Sequence, residues 1–179
     1  DHPISVDSLD QMEPKGGMMH RRAWSGYVEL LESMFPARPI RTLDLGCGCG
    51  GPVSDLLQAG HIAVGLEGSD GPLRAGTVEW ITLRNHYLFL CDISEPFQVL
   101  ENGGPMVCDL VTAWDVLEHL EEDKLPVAIE SVRQHLKPGG YFAGSIGLTD
   151  EPHHQCVKPI EWWHELLGRR MKRMDGGIV

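Results

Sequence analysis

Acidic side chains and glycines recur in this sequence at spacings that suit the capture of a nucleoside. Asp44-Leu45-Gly46-Cys47-Gly48-Cys49-Gly50-Gly51 joins a carboxylate to a glycine-rich turn. Glycine removes Cβ atoms where a ligand must approach the backbone, and a following helix offers free N–H groups to an anion such as a carboxylate. Glu67 lies about 20 residues beyond the turn, the separation at which an acid can bond both hydroxyls of a ribose. Asp92 can accept a hydrogen bond from an adenine amino group, while its neighbours Cys91 and Ile93 cover the ring face. Asp115 is a fourth acid placed, like Glu67 and Asp92, at the end of an apolar run.

The turn alone leaves two cofactors open, because Gly46-x-Gly48-x-x-Gly51 also satisfies the dinucleotide fingerprint. Charge separates them. Asp44, two residues before Gly46, would repel a pyrophosphate but can organise a loop facing an ammonium group. The remaining acids give the site an acidic rim, which suits a cofactor that carries a sulfonium and an ammonium and no phosphate. S-adenosylmethionine is the expected cofactor, and a nicotinamide-dependent oxidoreductase is the alternative that shares the loop.

Methyl transfer from a sulfonium is an in-line displacement, so the protein contributes mainly alignment and water exclusion. A base is needed only where the acceptor holds its proton tightly. His119 is the first candidate, since it follows the run ending in Asp115 and imidazole titrates near neutral pH. His153 and His154 come next, in the loop from Thr149 to Val157 where an acceptor would be covered; solvated loop histidines are the alternative reading. Asp115, Glu118 and His119 stand at i, i+3 and i+4, so one helical turn would place them on one face, able to gather a divalent cation. Asp115 already belongs to the acidic rim, and Glu118 can equally cap a helix or face solvent. A divalent metal is therefore the less favoured reading, and no metal ligand is assigned.

The elements that must hold these residues alternate between apolar runs and amphipathic stretches, the pattern of βαβ units around a mostly parallel sheet. Trp24, Tyr27, Leu31 and Met34 form one stripe on a leading helix that Pro36 ends. Thr42 to Leu45 reads as the first strand. Pro52 suits the first position of a helix that carries Val53, Leu56 and Leu57 and closes at Gly60. Ile62, Val64 and Leu66 mark the second strand, and Leu73 to Arg84 a weakly patterned helix. Tyr87 to Cys91 and Leu110 to Trp114 are continuous apolar runs of the kind buried parallel strands show. Leu125, Ile129, Val132 and Leu136 keep helical spacing, with Glu121, Glu122 and Asp123 near the positive end of the dipole. Lys137-Pro138-Gly139-Gly140 then turns the chain into Tyr141 to Ile146, a fifth strand. The expected architecture is α/β: a doubly wound, mostly parallel sheet with helices on both faces, its acids along the carboxyl ends of the strands.

Composition narrows the partners. Lys and Arg number 15 against 26 Asp and Glu, a net charge of −11, which excludes a function resting on neutralising a phosphate backbone. No nucleic-acid partner and no membrane partner is expected, since no run of about 18 apolar residues occurs. The N-terminus lacks the basic and apolar regions of a secretory signal, so a cytoplasmic location is expected. The five cysteines do not reproduce zinc-site spacing and read as reduced thiols; Cys47 and Cys49 simply fit a tight turn. Trp163 with Leu166 and Leu167 makes an ordinary apolar stripe, and Trp162 beside it reads as a plug of core or groove. Met18, Met19 and His20 would form a lid or a mobile arm. The chain opens at Asp1 without an initiator Met and ends at Val179, which reads as a trimmed or partial chain.

Taken in order, Leu43 to Gly50, Glu67, Asp92, Trp114-Asp115-Val116-Leu117-Glu118-His119 and Leu136 to Gly140 resemble the successive motifs of class I S-adenosylmethionine-dependent methyltransferases. The Asp115 to Leu120 segment is similar to the small-molecule branch that includes ubiquinone-biosynthesis O-methyltransferases, some of which bear a comparable acidic cluster and are thought to use a metal. The resemblance runs from about Arg22 to Ile146. It implies that Asp44, Gly46, Cys47 and Gly48 line the methionine end, that Glu67 takes the ribose hydroxyls with Gly68 and Ser69 beside it, that Asp92 and Ile93 hold adenine, and that Asp115 and Val116 sit beside the sulfonium. It also implies one methyltransferase domain over residues 1–179: an arm or lid (1–21), a cofactor-binding core (22–146) and an acceptor-side segment (147–179). The family sheet ends in an antiparallel hairpin, which only Arg169 to Met174 could begin here. The segment after the fourth strand lacks the Asn-Pro-Pro-aromatic pattern of enzymes that hold a flipped base. A small-molecule acceptor, methylated at a hydroxyl oxygen, is the expectation; a basic protein acceptor and a non-catalytic binding protein of the same fold stay open, and oligomeric state is not read from the sequence.

Overall fold

A computed structural model describes residues 26–169 and 171 of the chain. The apolar runs become a five-stranded sheet. Strands β1 (Arg41–Leu45), β2 (Ile62–Glu67), β3 (Leu88–Leu90), β6 (Cys108–Trp114) and β7 (Leu136–Ser145) lie in the order β3-β2-β1-β6-β7. Every neighbouring pair is parallel. The chain therefore leaves β1 towards β2 on one side and returns to its other side with β6. That reversal makes the carboxyl ends of β1 and β6 the natural crevice.

Parallel strands covered on both faces should be buried along their length, and Thr42 to Leu45 and Cys108 to Ala113 are. Alternation sorts their side chains between two cores. Leu43, Leu45, Val64, Leu66, Val111 and Ala113 face one, closed by Ile129 and Val132 of the helix Leu125–His135 and by Trp163 of the helix Ile160–Gly168. Ala63 and Leu110 face the other, closed by Tyr27 and Leu31 of the helix Tyr27–Met34, Val53 and Leu56 of the helix Gly51–Gln58, and Trp80. Trp163 is a core residue, as its stripe indicates.

Three local readings need correction. Met34 is 52% exposed and leaves the first helix's buried stripe to Tyr27, Leu31 and the following Phe35. The helix expected from Leu73 to Arg84 is two short ones, Gly71–Arg74 and Val78–Leu83, because Gly76 takes a left-handed φ of 68° and turns the chain between them. Lys137 to Gly140 is not a free turn but the irregular start of β7: Cys108 pairs with Leu136 and Leu110 with Tyr141, so the surplus residues bulge out of register. A short antiparallel pair, β4 (Leu100–Glu101) and β5 (Gly104–Pro105), joins β3 to β6 through Asn102 and Gly103, both at positive φ as a two-residue hairpin loop requires.

Trp24, the Met18-Met19-His20 segment and, apart from Arg169 and Met171, the segment expected to begin the hairpin lie outside the described residues. Among the described residues no helix is long and apolar enough to cross a membrane.

Candidate functional site

The glycine turn lies between the end of β1 and the helix that Gly51 opens, and it is held from both sides. Gly46 has a φ of 63°, and a Cβ there would come 2.3 Å from Val116 Cγ2, so only glycine lets the turn close against the segment after β6. Gly48, at a φ of 53°, would place a Cβ in open space, with no atom within 4 Å. Its N–H donates to Glu67 Oε2 at 2.8 Å, and its carbonyl accepts the Trp80 indole N–H at 2.8 Å. Glu67 Oε1 accepts the Ser69 N–H at 2.9 Å, and Ser69 Oγ accepts the Gly71 N–H at 3.0 Å. The acid that ends β2 is thus 1% exposed and ties β2, the glycine turn and the next helix together.

Asp44 points to the face shared with Thr112, its partner in the β1–β6 register, and accepts the Thr112 hydroxyl at 2.6 Å. Burial, and then the Asp44 charge, hold the Tyr27 phenol well above its ordinary range, and hydrogen bonds with Thr112 and Trp114 partly offset this. Cys47 is buried beside the same acids. Desolvation first, then Glu67 and Asp44, push its thiol up, which keeps it protonated and unreactive.

Asp92, one residue beyond Cys91, accepts the Ser94 N–H at 2.9 Å and the Ser94 hydroxyl at 2.6 Å, with Ile93 buried beside it. Asp115 takes a left-handed φ of 52° just after β6, a sparsely used conformation that aspartate tolerates better than most residues. Its N–H donates to the Ser145 carbonyl at 3.1 Å and its carboxylate accepts the Ser145 hydroxyl at 2.7 Å.

That bend changes the expected acidic face. Leu117–His119 is a single 3₁₀ turn, and Asp115 is turned toward Ser145 rather than stacked over Glu118 and His119. His154 takes the third place instead. One donor atom each from Glu118, His119 and His154 lie within 4.8 Å of one another, and the two imidazoles meet edge to face with centroids 4.9 Å apart. The loop is brought there by the backbone, since the N–H groups of Gln155 and Cys156 donate to the Glu118 carbonyl at 2.8 and 3.0 Å. His119 Nδ1–H donates to the His153 carbonyl at 3.0 Å and His154 Nδ1–H to the Thr149 carbonyl at 2.8 Å, which fixes both tautomers because a carbonyl only accepts. His153 enters this group through its carbonyl. Glu118 is 0% exposed; Oε1 accepts the Gly147 N–H, while Oε2 is buried without a hydrogen-bond partner. Burial holds this carboxyl above the usual carboxylate range, against the opposing pull of the Gly147 N–H. Such a trio can share a proton or ligate a cation.

Asp44 lies within β1 and the glycine turn follows it, Glu67 ends β2, and Asp92 and Asp115 come after β3 and β6. Trp80, Thr112, Ser145 and the pairing of His154 with Glu118 are not anticipated. Trp80 had one usable signal: a buried indole must find an acceptor for its N–H.

A family model described as a methyltransferase domain matches residues 18–173. A ubiquinone biosynthesis O-methyltransferase of Saccharophagus degradans is 28% identical over 128 residues, 71% of this chain and 52% of that protein. The crystal structure of the PH0226 protein from Pyrococcus horikoshii is similar with a TM-score of 0.52 and 27% identity, over 66% of this chain and 50% of that one. A phosphoethanolamine N-methyltransferase of Haemonchus contortus, solved with S-adenosylmethionine, shares the fold with a TM-score of 0.58 at 20% identity, over 83% of this chain and 36% of that one. The chain spans about half the length of the curated relative it matches.

Proposed function

The chain belongs to the class I methyltransferase domain family, and from that premise we propose that it transfers a methyl group from S-adenosylmethionine to a hydroxyl oxygen of a small molecule. The observation that carries this reading is the acidic edge of the sheet: Asp44 lies in β1, Glu67 ends β2 and bonds the glycine turn, Asp92 and Asp115 follow β3 and β6, and residues 44–52, 67–70, 92–95 and 114–119 contain no Lys or Arg. A pyrophosphate would find no counter-charge in those segments, whereas an ammonium and a sulfonium would.

The residues fit this cofactor. Gly48 leaves open the volume a side chain would fill, and the acids offer only acceptors. Asp44, Gly46, Cys47 and Gly48 would hold the methionine end, Glu67 with Gly68 and Ser69 the ribose, and Asp92 and Ile93 the adenine. Asp115 and Val116 would flank the sulfonium. When bound, S-adenosylmethionine supplies a methyl group activated by its positive sulfur. The protein's share is to align the acceptor oxygen, exclude water and receive the proton that oxygen loses. His119 and His154 are the proton acceptors in this reading, and the Gly147 to Arg169 segment walls the acceptor side. The O-methyltransferase name of the curated relative supports an oxygen acceptor, and the net charge of −11 speaks against a nucleic acid.

Parallel titrations with S-adenosylhomocysteine and NADH test the cofactor. Binding of the first and not the second is expected, and the reverse would overturn the proposal. Transfer of a labelled methyl group into a metabolite extract tests the reaction, with label expected in a small hydroxyl compound. A chain that binds S-adenosylhomocysteine but transfers no label to any extract would favour the non-catalytic alternative.

A further inference from the structure

We infer that Trp80 is a positioning residue for the cofactor cradle, holding the Gly48 peptide in the orientation that S-adenosylmethionine meets. The inference rests on the proposed function and adds to it a residue from outside the strand-end motifs. Trp80 lies in the helix Val78–Leu83 and is 0% exposed, packed in the core with Tyr27, Val53, Leu56, Leu88 and Leu110. From that core its indole N–H reaches 32 residues back along the chain to the Gly48 carbonyl at 2.8 Å.

Gly48 is the position where the cradle needs such a hold. Its φ of 53° lies in the left-handed region, and glycine loses more conformational freedom on ordering than any other residue. The N–H of Gly48 is fixed by Glu67 at 2.8 Å and its carbonyl by Trp80, so both hydrogen-bonding groups of the residue are set by buried side chains. The Cα face, by contrast, has no atom within 4 Å of where a Cβ would stand. A peptide anchored from behind and bare in front is oriented before a ligand arrives, and ligand binding then need not order it. An indole is a donor only, so Trp80 cannot exchange this role for that of an acceptor.

The test separates the hydrogen bond from the bulk of the ring. Trp80→Phe keeps an aromatic ring in the core and removes the donor. Ile40→Ala serves as a control, because Ile40 belongs to the same core but precedes β1, at the opposite end of that strand from the turn. Calorimetric titration with S-adenosylhomocysteine should show Trp80→Phe binding about three- to tenfold more weakly than wild type, the scale of one hydrogen bond. Ile40→Ala, melting at least as far below wild type, should bind within about twofold of it. Equal weakening in both variants would reduce Trp80 to a packing residue, and unchanged affinity in Trp80→Phe would remove the inference outright. Should Trp80→Phe not fold, the benzothiophene isostere of the Trp80 side chain, in which sulfur replaces the ring N–H, carries the same prediction with the shape preserved. A wild-type chain that takes up no S-adenosylhomocysteine would overturn the cofactor reading and this inference together. A wild type that binds beside a variant that binds equally well overturns this inference alone.

Discussion

The glycine turn and the Glu118 group each bury a glutamate, and the two are treated in opposite ways. Glu67 is 1% exposed and accepts the N–H groups of Gly48 and Ser69, so both carboxylate oxygens are engaged in holding backbone. Glu118 is 0% exposed, accepts one N–H from Gly147 and leaves Oε2 buried without a partner beside two imidazoles. A satisfied buried carboxylate fixes geometry, whereas a half-satisfied one keeps a standing cost that a proton, a cation or a ligand group can relieve. The first arrangement suits binding by a rigid cradle and the second suits chemistry. On the proposed function, cofactor affinity should reside at residues 44–116 and proton handling at residues 118–154.

The most direct way to break that division is to remove the imidazole on the chemical side. His119→Ala should lower methyl transfer by about 10²-fold or more, the usual range for a lost general base, and leave S-adenosylhomocysteine affinity within about twofold. Turnover with labelled cofactor and calorimetric binding, measured on one preparation, would show whether the two properties separate. On the binding side, Glu67→Ala should weaken S-adenosylhomocysteine by about 2–3 kcal/mol, because it removes a charged acceptor and orphans two backbone donors. Asp92→Ala should cost less, about 1–2 kcal/mol, since the bonds it loses within the protein come from Ser94 alone. If Asp92→Ala cost more than Glu67→Ala, the ranking of the cradle residues would invert and the clamp at Gly48 would lose its importance.

How much of this was legible in the sequence follows the same division. Buried parallel strands must be apolar along their length, so Leu43, Val64 and Val111 announce themselves, and the acids that end those strands stand out against them. The cradle could be read because its residues are local to the turn and the strand ends. The Glu118 group could not, since it depends on a left-handed Asp115 and on two backbone hydrogen bonds that bring residues 155 and 156 back to Glu118. Helical spacing placed Asp115 with Glu118 and His119, and a 3₁₀ turn does not preserve the i, i+4 face. Trp80 lay hidden for a different reason: the helix around it is only six residues long, interrupted upstream by Gly76, and shows no periodic stripe.

The smallest expected effect tests the contrast most sharply, because it concerns the charge on Glu118 and nothing else. Burial raises this carboxyl above its ordinary value of about 4.5, so between that value and the raised one the folded protein binds more protons than the unfolded chain. Stability then falls as pH rises through this window, and the burial of the charge costs its full amount above it. Glu118→Gln carries no charge at any pH, and its carbonyl can still accept the Gly147 N–H. The variant should therefore melt at or slightly above wild type near pH 7, and wild type should gain on it as pH falls through the raised value, until the difference levels off below about 4.5. Melting temperatures of both proteins across that range give the comparison. If Glu118→Gln melts below wild type by the same margin at every pH, the carboxylate charge is not the source of the cost. Glu118 would then be a structural acid like Glu67, and the chemical role would pass to the histidines alone.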